Sequence, residues 1–157
     1  MPHIHEKIDF TVDAYIVRGN KVLLRYHDKF DLWLAVGGHI ELDENPNQAI
    51  LREVKEEVGL DVTLYDKSAR TGGLNNKYKE LIPPMFLNIH YINEIHQHCS
   101  MVYFATSKSE SVMPLEEEDR SDRCIWCTKE DLIKFTELEP TIKFYALEAL
   151  RILAENN

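Results

Sequence analysis

No apolar run in this chain approaches the ~20 residues that a membrane-spanning helix needs. An integral membrane protein is therefore not expected. The opening residues, Met-Pro-His-Ile-His-Glu, lack the basic and apolar regions of a signal peptide, so the expected compartment is the cytoplasm. Cysteine is scarce: Cys99, Cys124 and Cys127 are too few for a disulfide framework. Positive charge is short as well, with 18 Lys and Arg against 27 Asp and Glu and a net charge of −9. A nucleic-acid polymer is not an expected partner, because a phosphate backbone demands a basic surface. Internal repeats, low-complexity tracts and an interdomain linker are missing too, which leaves one domain over residues 1–157.

The composition that is present, 44% hydrophobic and 29% charged over 157 residues, suits a globular domain with a full-sized core. The acids are clustered. Residues 37–60 hold Glu41, Asp43, Glu44, Glu53, Glu56 and Glu57 against Arg52 and Lys55, and a second group is Glu116-Glu117-Glu118-Asp119. Such a site can bind a polyanionic small molecule when metal ions invert its local charge.

Phe10 to Val17 and Lys21 to Tyr26 read as a β-hairpin about Arg18-Gly19-Asn20. Leu32 to Val36 reads as a short strand entering Gly37-Gly38. A helix follows with clear punctuation: Asn45 as N-cap, Pro46 at the first helical position, Gln48 completing a capping box and Gly59 as the stop. Leu60 to Tyr65, Met85 to Ile92, Cys99 to Thr106 and Arg123 to Cys127 read as strands, and Asp66 to Leu81 as a loop, either a lid or plain. Thr128 caps a short helix, and Pro140 to Ala154 is a final amphipathic helix. Strands interspersed with helices predict an α/β fold with a mixed sheet covered on both faces.

Within the first helix, Glu53, Glu56 and Glu57 stand at i, i+3 and i+4, which puts them on one face. Ile50, Leu51, Val54 and Val58 form the neighbouring apolar face. Ala49 falls inside the acidic row, where a small side chain leaves room for an ion, and Arg52 flanks the row. Crowded like charges destabilise a helix. They call for a hard divalent cation, Mg2+ before others.

The full run, Gly38-x5-Glu44-x7-Arg52-Glu53-Val54-x-Glu56-Glu57-x-Gly59-Leu60, resembles the Nudix box of the Nudix hydrolases at every defined position. Accidental agreement is on the order of one in 10^9 per starting point. The resemblance covers this run and implies the rest: an α/β/α sandwich, and hydrolysis of a phosphoanhydride in a nucleoside diphosphate linked to another group, with Mg2+ or Mn2+. By position it implies Glu53, Glu56 and Glu57 as metal ligands, joined by the Gly38 carbonyl, with Glu41 at a less fixed acidic position near the metals. Arg52 orients a glutamate and Glu44 supports the loop. Metal ions neutralise the phosphates and favour the departing oxygen, while Glu56 or Glu53 takes the proton of the attacking water. A base from the Glu116–Asp119 segment is the alternative.

Outside the run the signals are thinner. Arg25 suits phosphate oxygens, Tyr103 suits stacking on a base, and His98 and Glu117 are placed as further substrate contacts. His90, His96, His98 and Cys99 look like zinc ligands, but the sequence offers no matching second half, so structural zinc is not expected. Cys124 and Cys127 lie three apart on a strand, face opposite ways and read as ordinary packing. The expected substrate is a nucleoside or deoxynucleoside triphosphate, and a homodimer is allowed. The rivals are a nucleotide sensor that does not cut, a messenger-RNA decapping enzyme, which would need a basic path, and an isopentenyl-diphosphate isomerase, which would need further catalytic residues.

Overall fold

The computed structural model describes residues 4–69, 77–114 and 123–155. Its centre is a parallel ladder between two 11-residue strands, β1 (Ile8–Arg18) and β7 (Gln97–Ser107), running from Ile8 opposite Gln97 to Val17 opposite Thr106. Alternation along β1 separates two cores. Val12, Ala14 and Ile16 enter one cluster, and Tyr15 and Val17 enter the other.

The sheet divides along the other edge of β1. β2 (Lys21–His27) pairs with it only at Val17 and Arg18, then leaves to pair with β3 (Leu32–Leu34) and β8 (Cys124–Cys127). β4 (Val36–His39) takes the vacated edge, antiparallel to Thr11–Ala14. The single strand expected over Leu32 to Val36 is thus two strands broken at Ala35, because its two ends hydrogen-bond to different neighbours. On the far side, β7 pairs with β5 (Val62–Leu64) and β6 (Phe86–Tyr91). The strand expected from Leu60 to Tyr65 is confined to β5.

Helix α1 (Pro46–Val58) covers one face of the sheet. α2 (Lys129–Lys134) and α3 (Pro140–Leu153) contribute to the core on the other, giving the α/β/α sandwich with a mixed sheet. The caps of α1 form as expected. Asn45 accepts from the Asn47 and Gln48 amides, and Gln48 Oε1 accepts from the Asn45 amide. Ala49 corrects the reading of the acidic row: it is 0% exposed and packs in the core with Ile50, Val54 and Val58. Each buried isoleucine or valine among them contributes about 1.5–3 kcal/mol. A crowded like-charge pair costs only about 0.2–0.5 kcal/mol, so burial carries the helix despite its glutamates. Cys124 and Cys127 are free thiols packed against opposite cores, as their spacing predicts. Among the described residues, no helix is long and apolar enough to cross a membrane.

Candidate active site

The loop between β4 and α1 brings Gly38 against the helix. A Cβ at Gly38 would overlap the Glu53 carboxylate, so this position accepts only glycine while Glu53 keeps its place. Glu53 is 4% exposed and Glu57 8%, whereas the Glu56 side chain keeps 36% of its surface. The row is therefore not a solvated stripe. Two of its three carboxylates are held inside by arginines.

Arg52 is the hub. Its Nε and Nη2 donate to Glu44 Oε2 (3.0 Å) and Oε1 (2.6 Å), a bidentate grip. Its Nη1 donates to Glu53 Oε1 (2.9 Å) and Glu56 Oε2 (3.0 Å). Nη2 also donates to the His39 carbonyl (3.0 Å), which ties the guanidinium to the end of β4. The Glu41 amide donates to Glu44 Oε1 (2.9 Å), so the loop closes on the same carboxylate, while the Glu41 residue itself is exposed. The Arg52 hydrogen bond holds Glu44 below the usual carboxylate range, and the same bond keeps Arg52 protonated. Burial pushes Glu53 up to about 7, partly opposed by the Arg52 charge and reinforced by Glu56 and Glu44.

Arg25, read from the sequence as a phosphate contact, lies against the helix instead. Its Nη1 donates to Glu57 Oε1 at 2.9 Å, and the Gly37 amide donates to Glu57 Oε2 at 3.1 Å. Sequence reasoning missed this pair. β2 and α1 lie 32 residues apart, and only the packed sheet turns Arg25 towards the helix. Tyr103 is a second correction. It is buried beneath α1 with its hydroxyl against Asn47 Nδ2 at 3.3 Å, out of reach of a base. His98 stands on the opposite face of the sheet, since it alternates with Cys99 and shares its side with Val102 and Phe104. Glu117, the Glu116–Asp119 segment and part of the 66–81 loop lie outside the described residues.

Glu44, Glu53, Glu56 and Glu57 together face Arg25 and Arg52, which leaves two negative charges, the charge of one divalent cation. All available donors are hard oxygens, the set that suits Mg2+ or Mn2+. A cation beside Glu53 would offset the burial and the neighbouring acids that raise its proton affinity. The residues present fit a metal.

Comparison with known proteins bears on the family and the fold. The NUDIX domain profile matches residues 8–148. A hydrolase of the NUDIX family from Clostridium perfringens superposes with a TM-score of 0.84 at 37% identity, covering 92% of this chain and 97% of that one. The CTP pyrophosphohydrolase of Escherichia coli is 30% identical over 102 residues, 59% of this chain and 73% of that protein. The m7GpppN-mRNA hydrolase NUDT17 of Danio rerio is 30% identical over 109 residues, 66% of this chain; the matched stretch spans about a third (34%) of that protein's length.

Proposed function

The chain belongs to the NUDIX domain family, and from that premise we propose that it is a Mg2+-dependent pyrophosphohydrolase of a nucleoside or deoxynucleoside triphosphate. The observation that carries the reading is the Arg52 hub, which gathers Glu44, Glu53, Glu56 and the His39 carbonyl onto one guanidinium beside Gly38. Glu53, Glu56, Glu57 and the Gly38 carbonyl are the residues that would hold the metal. When bound, Mg2+ neutralises phosphate charge and makes a bound water more acidic.

The protein's own residues do the rest. Arg52 keeps Glu53 and Glu56 aligned, so their carboxylates need no reorganisation when a charged substrate arrives. Arg25 fixes Glu57 in the same way from β2. One carboxylate of the row, Glu53 or Glu56, takes the proton as water attacks phosphorus, and the bridging anhydride oxygen leaves with the departing phosphate. Support for a nucleotide comes from the Escherichia coli relative, whose name specifies CTP. The net charge of −9 favours a small nucleotide over a capped RNA, the substrate named for the zebrafish relative.

A panel of nucleoside triphosphates, nucleotide sugars and capped RNA, assayed with Mg2+, tests the reading. Turnover should appear on a triphosphate. It should fall at least ~100-fold in Glu53→Gln or Glu56→Gln, the larger fall marking the proton acceptor. Metal-dependent binding without any turnover would make the protein a nucleotide sensor. Unchanged rates in both variants would refute the site.

A further inference from the structure

We propose that Asp9, His39 and His98 form a second metal-binding site, selective for a borderline cation of the Zn2+ type, on the sheet face opposite the glutamates. The strands bring the three together from distant places. Asp9 lies near the start of β1, His39 at the end of β4 and His98 near the start of β7; Asp9 stands opposite His98 in the parallel ladder, and Thr11 opposite His39. Alternation puts all three side chains on the face that also carries Tyr15 and Phe104. Gly38, between Gly37 and His39, faces Glu53 on the other side.

One donor atom from each of Asp9, His39 and His98 lies within 4.8 Å of the other two. Asp9 Oδ2 is 3.2 Å from His39 Nε2. Two ligands bonded at about 2.0 Å to a tetrahedral ion stand about 3.3 Å apart, so this pair already has the spacing. Among the described residues this trio alone converges so closely; the glutamates, gripped by two arginines, do not.

The surroundings orient the donors. Asp9 is 1% exposed, and its Oδ1 accepts from the Ile4 amide (3.1 Å) and the His5 amide (2.7 Å), which turns Oδ2 to the imidazoles. His96 Nδ1 lies 3.2 Å from the Glu6 carbonyl, an oxygen that can only accept, so Nδ1 carries the hydrogen. His96 Nε2 lies 3.2 Å from the same Asp9 Oδ2.

The rings gather around His98. His98 lies 4.9 Å from His39, 5.6 Å from His96 and 5.8 Å from His90, centroid to centroid. Imidazole nitrogen and carboxylate oxygen together are the donor set of many zinc sites. Nitrogen donors separate this site from the other one: imidazole favours Zn2+, Co2+ or Ni2+ over Mg2+. His39 directly follows Gly38, and its carbonyl holds Arg52. A cation here would fasten the strand that leads into the glutamate site.

The test is a Co2+ titration of the full metal-free chain with Mg2+ in excess, followed by visible absorption. One equivalent should give d–d bands that Zn2+ bleaches. His39→Ala and His98→Gln should each weaken binding by about 10- to 100-fold, while His5→Ala leaves it unchanged. Absence of the bands, or bands that survive both histidine variants, would overturn the site. So would loss on His5→Ala alone, which would assign the metal to the amino-terminal histidines. Imidazole NMR of the unmodified chain gives a reading that needs no variant: Zn2+ must shift His39 and His98, and a shift confined to other histidines refutes the proposal.

Discussion

Glu53 shows how one side chain can serve a site at the expense of the fold. Burial raises its carboxyl from 4.5 to about 7, so the metal-free folded state holds a proton that the unfolded chain gives up. A raised acid destabilises above its folded pKa and is relieved as pH falls through it. In metal-free protein Glu53 should therefore contribute a gain of about 0.8 kcal/mol between pH 8 and 6.5. Asp13, raised to about 6 by burial, adds a smaller part in the same direction. His98 acts the other way as pH approaches its unfolded value of 6.5, because the folded state resists protonating it, and so offsets part of the gain in the same window. Urea unfolding at the two pH values measures the gain, and Glu53→Gln should flatten it. A slope unchanged by that substitution would show that Glu53 is not the strained group.

At the scale of the element, α1 is held at both ends by residues outside the chemistry. Asn45→Ala removes the cap of the Asn47 and Gln48 amides and should cost about 1 kcal/mol. Gly59→Ala should cost more. Gly59 closes the helix at φ +69°, and a Cβ there would overlap the Met113 carbonyl, so strain and collision add. Thermal unfolding ranks the two variants. Gly59→Ala at least as stable as Asn45→Ala would mean that the loop around Met113 yields freely. Both ends matter to the site because α1 carries Arg52 and all three glutamates, and a frayed turn would release them from Gly38.

For the whole molecule, the parallel pairing of β1 with β7 is the structural axis. Its side chains feed both cores: Val12, Ala14, Ile16, Tyr103 and Ala105 on one side, Tyr15, Val17, Val102 and Phe104 on the other. Opening this ladder exposes both clusters at once, so its amides should exchange only through global unfolding. Hydrogen exchange should be slowest at Ala14–Val17 and Val102–Ala105. Exchange there as fast as at the exposed residues Asp66 and Lys67 would mean that the two faces unfold independently. The same axis separates the two proposed sites, the glutamates under α1 and Asp9 with His39 and His98 opposite.

The sequence alone determined whatever depends on spacing along one element. The i, i+3, i+4 glutamates, Asn45 and Gly59 at the helix ends, the flanking Arg52 and the capped start of α2 were all legible, because a helix converts sequence distance directly into direction. The alternation of Cys124 and Cys127 was legible for the same reason on a strand. Only tertiary structure decided the rest. It divided Leu32 to Val36 between two neighbours, drew Ala49 and Tyr103 into the core, and set Arg25 against Glu57 from 32 residues away. It also brought Asp9 and His39 beside His98. His96 and His98 looked incomplete as a run, since their partners Asp9 and His39 arrive through a parallel ladder and a strand exchange. Those pairings rest on burial and register between distant segments, which no local spacing records.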